Sequence, residues 1–322
     1  MLSFAFILTL VILLIVGVVT VVLWRRHRSA EARSIVALYP QLKYFSFVTM
    51  VLRYLGVLLA LICLYVLYEY SPIEDGRIVV LIPAAVGSLV VVFSTVGELA
   101  MFNAARQVGV ASMEPRRIGS WLPKGLLILT GIAAVVFILL IVGSWLIADP
   151  DGRGFTLTGA YQGKDLFSVT TWPIFGAYYA EPMVVATGVF LILSCIGGLV
   201  VARRPRNGAD PVLAQWDDAL RRRSFRGLTA TTLAVLSIDV LMVSLTNASA
   251  LDFLIPQVGA NAELNGVPAS QIVIKENLLW YGWPGMKVFL WIIAFASFIS
   301  FIYSTAIVLY DTASPQSSKV PR

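Results

Sequence analysis

The chain has 322 residues, 58% hydrophobic and 13% charged; soluble domains run at roughly 45–50% and 25%, so a water-soluble globular domain is excluded. The net charge of +6 could suit nucleic acid. Of the 24 Lys and Arg, however, 18 fall in three loops and the C-terminal tail and only five in the alternate loops, which makes the basicity a topology signal.

A hydrocarbon core of about 30 Å needs roughly 20 apolar residues of helix, and seven stretches qualify, near 1–24, 45–70, 78–102, 125–147, 183–202, 227–249 and 288–310. The expected fold is all-α: a single integral membrane domain over 1–322, a polytopic bundle of seven transmembrane helices. By the positive-inside rule the N-terminus lies outside and the C-terminus inside. The first stretch lacks a basic leader and ends in Trp24-Arg25-Arg26-His27-Arg28, so it reads as a retained anchor in reverse orientation.

The second stretch carries Arg53 and the third Glu98, with only Ser71 to Arg77 between them. Pro72 and Asp75-Gly76 supply a turn, so these helices are expected to be antiparallel neighbours. Counted from the middle of that turn, Arg53 and Glu98 are offset by about four residues, or about 6 Å along the helices. That offset predicts a buried Arg53–Glu98 pair. The two cysteines, Cys63 and Cys195, fall in the second and fifth stretches and read as small apolar packing residues rather than a disulfide or metal framework.

Beyond the fourth stretch comes an outer loop, 148–182, too long to be structureless in a compact protein. Its Asp149-Pro150-Asp151-Gly152 sequence has some features of a calcium loop but lacks the remaining ligands and terminal glutamate, which favours a plain turn. Trp172-Pro173, Tyr178 and Tyr179, like Trp280, Tyr281 and Trp283-Pro284 before the seventh stretch, read as interfacial aromatic belts.

The inner segment 203–226 is expected to hold a short amphipathic helix from Pro211 to Arg223. Asp210 is its cap, Val212, Leu213, Trp216 and Leu220 form its apolar face, and Arg221, Arg222 and Arg223 meet its negative end. Such a helix either lies against anionic headgroups or docks a cytosolic partner such as a transport ATPase. In the sixth stretch Asp239 sits near the centre, with Thr232, Ser237 and Ser244 as nearby hydroxyls. It is protonated and hydrogen-bonded in the bundle, paired with Arg53, or part of a polar pathway. In the second outer loop, 250–287, Asn265-Gly266 suggests a hairpin turn beside an extended run, Ile272-Val273-Ile274.

Five short motifs carry a resemblance: Met113-Glu114-Pro115-Arg116-Arg117 through Leu122-Pro123-Lys124; Asp149 to Arg153; Ala177-Tyr178-Tyr179; Arg203-Arg204-Pro205 with Asp210-Pro211; and Asp218 to Arg226. In this order, over roughly residues 97 to 226, they resemble a group of actinobacterial multi-pass integral membrane proteins without assigned activity, often encoded near GntR-type regulators and ABC-transporter genes. The resemblance implies a transport-associated role and carries no functional residues with it.

Catalytic patterns are sparse. One histidine, His27, rules out paired-histidine haem and three-histidine zinc sites, and no Gly-x-x-x-x-Gly-Lys-Ser/Thr loop occurs. Ser144 follows Gly143 but has no histidine to activate it. No metal site or cofactor is expected. The candidates left are the ionisable residues within the membrane, Arg53, Glu98 and Asp239, costly there and functional by default. Two functional classes follow: a non-catalytic transport-associated subunit or small permease; or a membrane enzyme acting on lipid-linked substrates through outer-loop carboxylates such as Glu74, Asp75, Asp149, Asp151 or Asp165. The expected partners are the lipid bilayer and a cytosolic ATPase or other membrane subunit, without nucleic acid.

Overall fold

The computed structural model describes residues 77–106, 119, 121–171, 173–204, 211–274 and 283–313, of which 100–106, 211–216, 269, 274, 283–284 and 308–313 are followed through their backbone. The expected spans at 1–24 and 45–70 lie outside the described residues, as do Arg53, His27, Cys63, Glu74, Asp75, Trp172, Trp280 and Tyr281. Five long helices are described: α1 Ile82–Arg106, entered through a 3-10 turn at Val79–Leu81; α2 Lys124–Ile147; α3 Ala177–Arg203; α4 Pro211–Leu264; and α5 Trp283–Ala313. Each contains a window long and apolar enough to cross a membrane.

Helix α4 is the axis of the bundle. It packs against each of the other four long helices, and 61% of its apolar window is buried, against 11–28% for the others. The remaining helices bury one stripe and expose Ile, Leu, Val and Phe elsewhere, for example Ile128, Leu139 and Leu146 on α2 and Phe295 and Ile302 on α5. A helix apolar all round is what a lipid solvent requires, because its backbone polar groups are satisfied internally and its outer side chains face hydrocarbon. Cys195 lies on the exposed face of α3 rather than in the packing between helices.

The expected division of α4 into an inner amphipathic helix, a span and a loop is replaced by one unbroken helix of 54 residues. At 1.5 Å per residue it is about 81 Å long, well over the roughly 30 Å of a hydrocarbon core. The segment from Pro211 to Arg223 is thus continuous with the span. At the other end the helix runs on to Leu264, through what reads in sequence as a loop. It stops at Asn265-Gly266: Gly266 has φ +67°, its N–H donates to the Glu263 carbonyl at 2.9 Å, and the Val267 N–H donates to the Ala262 carbonyl at 3.1 Å. These are the paired bonds of a Schellman stop, so Asn265-Gly266 ends a helix and is not a hairpin turn.

The hairpin is in the other long loop. Strand β1, Phe155–Tyr161, pairs antiparallel with β2, Lys164–Thr171, across Gln162-Gly163. Both turn residues have positive φ, 50° and 79°, as a two-residue type I′ turn demands. A two-residue strand β3, Val273–Ile274, joins the far edge of β1 at Gly159 and Ala160, giving the order β2-β1-β3. The extended run expected near Ile272 is therefore real and pairs with β1. Phe155, Leu157, Val169 and Ile174 pack with Leu251, Leu254 and Val258 of α4, Ile272, and Leu290 of α5 in one apolar cluster, so hairpin and helix extension form a cap on this end of the bundle. The turn before β1 is closed by its own carboxylates. Asp149 accepts from the Thr156 hydroxyl at 2.7 Å and amide at 3.2 Å, and Asp151 accepts from the Arg153 amide at 2.9 Å.

Candidate functional site

Two buried carboxylates define the polar interior, one at each of two depths. The first, Glu98, is 3% exposed near the end of α1. Its Oε2 receives Arg204 Nη1 at 2.9 Å, and its Oε1 receives the Ser224 hydroxyl at 2.5 Å. Arg204, just past the end of α3, also gives Nη2 to Asp217 Oδ1 at 2.5 Å. The other oxygen of Asp217 receives Nε of Arg221, its i+4 neighbour, at 2.8 Å. Two arginines and two acids thus form a network spanning α1, the end of α3 and the start of α4, which we call the arginine end of the bundle.

Arg221, 1% exposed, has a further task. Its Nη2 donates to the Arg204 carbonyl at 2.6 Å and its Nη1 to the Ala202 carbonyl at 3.3 Å, while its guanidinium stands 4.9 Å over the Trp121 ring. The last carbonyls of a helix lack intrahelical donors and carry partial negative charge. A planar fork of five N–H groups suits several such acceptors at once. Within the Arg221-Arg222-Arg223 run, then, the first residue faces inward and caps α3, whereas Arg222 is exposed and Arg223 is half-buried. Leu220 is half-buried as well, and the Trp216 side chain lies outside the described residues.

Of the expected Arg53–Glu98 pair, only Glu98 lies among the described residues, and both its oxygens are engaged as given above.

The second carboxylate, Asp239 of α4, is 0% exposed. Its Oδ2 receives the Thr187 hydroxyl of α3 at 2.9 Å, and its Oδ1 has no hydrogen-bond partner among the described residues. Fifteen residues, about 22 Å of helix, separate it from Ser224. The Ser237 and Ser244 hydroxyls of the same helix are also buried without a hydrogen bond among the described residues. Eight residues on from Asp239, Asn247 is engaged through both amide atoms: Nδ2 donates to Ser144 Oγ at 2.6 Å, and Oδ1 accepts from the Phe175 amide at 3.4 Å. Ser144, considered above as a nucleophile, spends its own proton on the Leu140 carbonyl at 2.7 Å.

The hairpin end differs in character. Tyr178 stacks under two guanidinium groups, those of Arg153 at 4.0 Å and Arg77 at 4.9 Å. Asp252 of α4 is paired with Lys287 of α5 and accepts from the Trp291 indole at 3.3 Å. Between β2 and α4 lies an open groove of about 540 Å3. Among the described residues no group of three or more His, Cys, Asp or Glu is placed to hold a metal ion.

Sequence reasoning overlooked Arg204 and Asp217, the two residues that complete the Glu98 network. The Asp217/Arg221 spacing of four was the available signal. Comparison with protein-family models, curated proteins and solved structures gives no match.

Proposed function

We propose that this chain is a transport-associated membrane component, a small permease or the membrane subunit of a larger transporter, with Asp239 on its polar pathway. The observation that carries the reading is Asp239 itself: a carboxyl group with no exposed surface and, among the described residues, one hydrogen bond and one oxygen without a partner. In an apolar interior an ionised carboxylate needs a cation or several donors. A carboxyl group with a single donor and an open oxygen suits one that takes up and releases a proton. The five membrane-length helices support a place in the membrane. The reading extends to seven spans, an external N-terminus and hairpin end, a cytosolic arginine end and residence in the cell membrane. The Arg-rich start of α4 faces a cytosolic ATPase or other subunit.

The test is proton flux in proteoliposomes holding an internal pH dye and driven by a potassium diffusion potential. Wild type acidifies the lumen faster than empty liposomes, and Asp239→Asn does not. Equal flux in the two proteins overturns the pathway role. Cysteines introduced at Thr158 and Ser317 should label from opposite sides, and labelling from one side overturns the orientation.

A further inference from the structure

We propose that the groove at the hairpin end binds an uncharged, polyhydroxylated ligand of the neutral saccharide class. The inference rests on the transport reading for the ligand's role, but not for its binding.

The groove is lined by Thr170 and Thr171 of β2, Thr246 and Ser249 of α4, and the apolar surfaces of Pro173, Leu245, Ala250 and Phe253. Among the described residues no charged side chain lines it, so a charged ligand would lose hydration there without meeting a counter-charge. Its hydroxyls are available. Elsewhere on α4, Thr229, Thr231 and Thr232 each turn their hydroxyl back to the carbonyl four residues earlier, at 2.8, 2.9 and 3.0 Å. Thr246 and Ser249, on the same helix, and Thr171 have no side-chain hydrogen bond among the described residues, while the Thr170 hydroxyl is paired with that of Thr156 at 3.0 Å. Three hydroxyls opening on one groove offer donors and acceptors to a ligand rich in both.

Phe253 completes the chemistry. It is 52% exposed, a large apolar ring left at the wall of a hydroxyl-lined groove. Sugars present one face of C–H groups and a rim of hydroxyls, and this combination of ring and hydroxyls is complementary to both.

The groove is also in register with the buried carboxyl group. Asp239, Thr246 and Phe253 recur every seven residues of α4, so they fall on one stripe of the helix, about 10 Å apart.

Full-length protein in lipid nanodiscs, free of sugar detergents, should be titrated with glucose, galactose and trehalose by saturation-transfer NMR. At least one should bind with millimolar affinity, and the anion gluconate should bind more weakly. Phe253→Ala should weaken binding roughly two- to ten-fold, the range expected for a lost aromatic contact. Thr246→Val, which keeps the side-chain shape, should weaken it without a loss of folded protein. Failure of all three sugars to bind, or binding indifferent to both groove substitutions, overturns the inference. So does a co-purified phospholipid that no sugar displaces. If sugar binding fails while proton flux still depends on Asp239, only the groove assignment falls; if binding holds while flux is indifferent to Asp239, only the transport reading falls.

Discussion

Glu98 and Asp239 are both carboxylic side chains buried among the same helices, yet one is fully partnered and the other half-partnered. Glu98 uses both oxygens in a network of paired arginines and acids. Asp239 uses one. Each oxygen of Glu98 is fixed by a donor from a different segment, so the group serves as a fastener between α1, α3 and α4. Asp239 fastens α4 to α3 through a single hydroxyl and keeps an acceptor in reserve. A closed polar network specifies a structure, whereas an incompletely satisfied buried group marks a place where local rules have been relaxed, as commonly happens at functional sites.

The largest effect should come from opening the closed site. Glu98→Leu leaves Arg204 buried beside one remaining acid, and breaking a buried pair typically costs about 3–5 kcal/mol. Thermal unfolding in detergent should show a loss of that order. Arg204→Leu should show a similar loss, and the double substitution less than the sum of the two. Additive losses would mean that the contact carries no coupling.

Arg221→Lys asks whether the fork matters or only the charge. Lysine can keep an ion pair with Asp217 but cannot serve that carboxylate and several α3 carbonyls together, so a loss of about 1–3 kcal/mol is expected. Arg222→Lys, one residue on and exposed, should leave stability unaltered. Equal responses at the two positions would remove the distinction between inward and outward arginine.

The half-open site should respond the other way, with small stability changes and a large functional one. Thr187→Val deletes the single donor to Asp239 and should cost about 1 kcal/mol. Asp239→Asn should cost less still, because an amide can accept from Thr187 and, unlike a carboxylate, brings no charge into the interior. If Asp239→Asn destabilised the protein as much as Glu98→Leu, Asp239 would be a second fastener and the contrast would collapse.

The legible and illegible parts of this structure divide along physical lines. Helices α2, α3 and α5 follow from apolar runs, since a lipid solvent imposes length and composition on each segment separately. The partner of Glu98 does not, because it comes from a residue 106 positions away and depends on α1 lying beside α3, which no loop length reveals. Arg221 illustrates a different limit: three consecutive arginines look equivalent in a charge count, but successive residues on a helix point about 100° apart, so one faces the bundle while the next faces away. Asn265-Gly266 was misread because the same dipeptide serves a hairpin and a helix stop. The Gln162-Gly163 hairpin, with alternating Thr and apolar residues on either side, carried the better strand signal.

The unbroken length of α4 has a mechanical consequence. Arg221 and Asp217 grip it at one end, and at the other Leu251 and Leu254 are embedded in the cap, over 30 residues and about 50 Å away. A hydrogen-bonded rod of that length carries axial and torsional load with little give. A shift or turn imposed by the cap on its end of the rod is therefore delivered to the α3 corner, and a push at the corner returns to the cap along the same shaft.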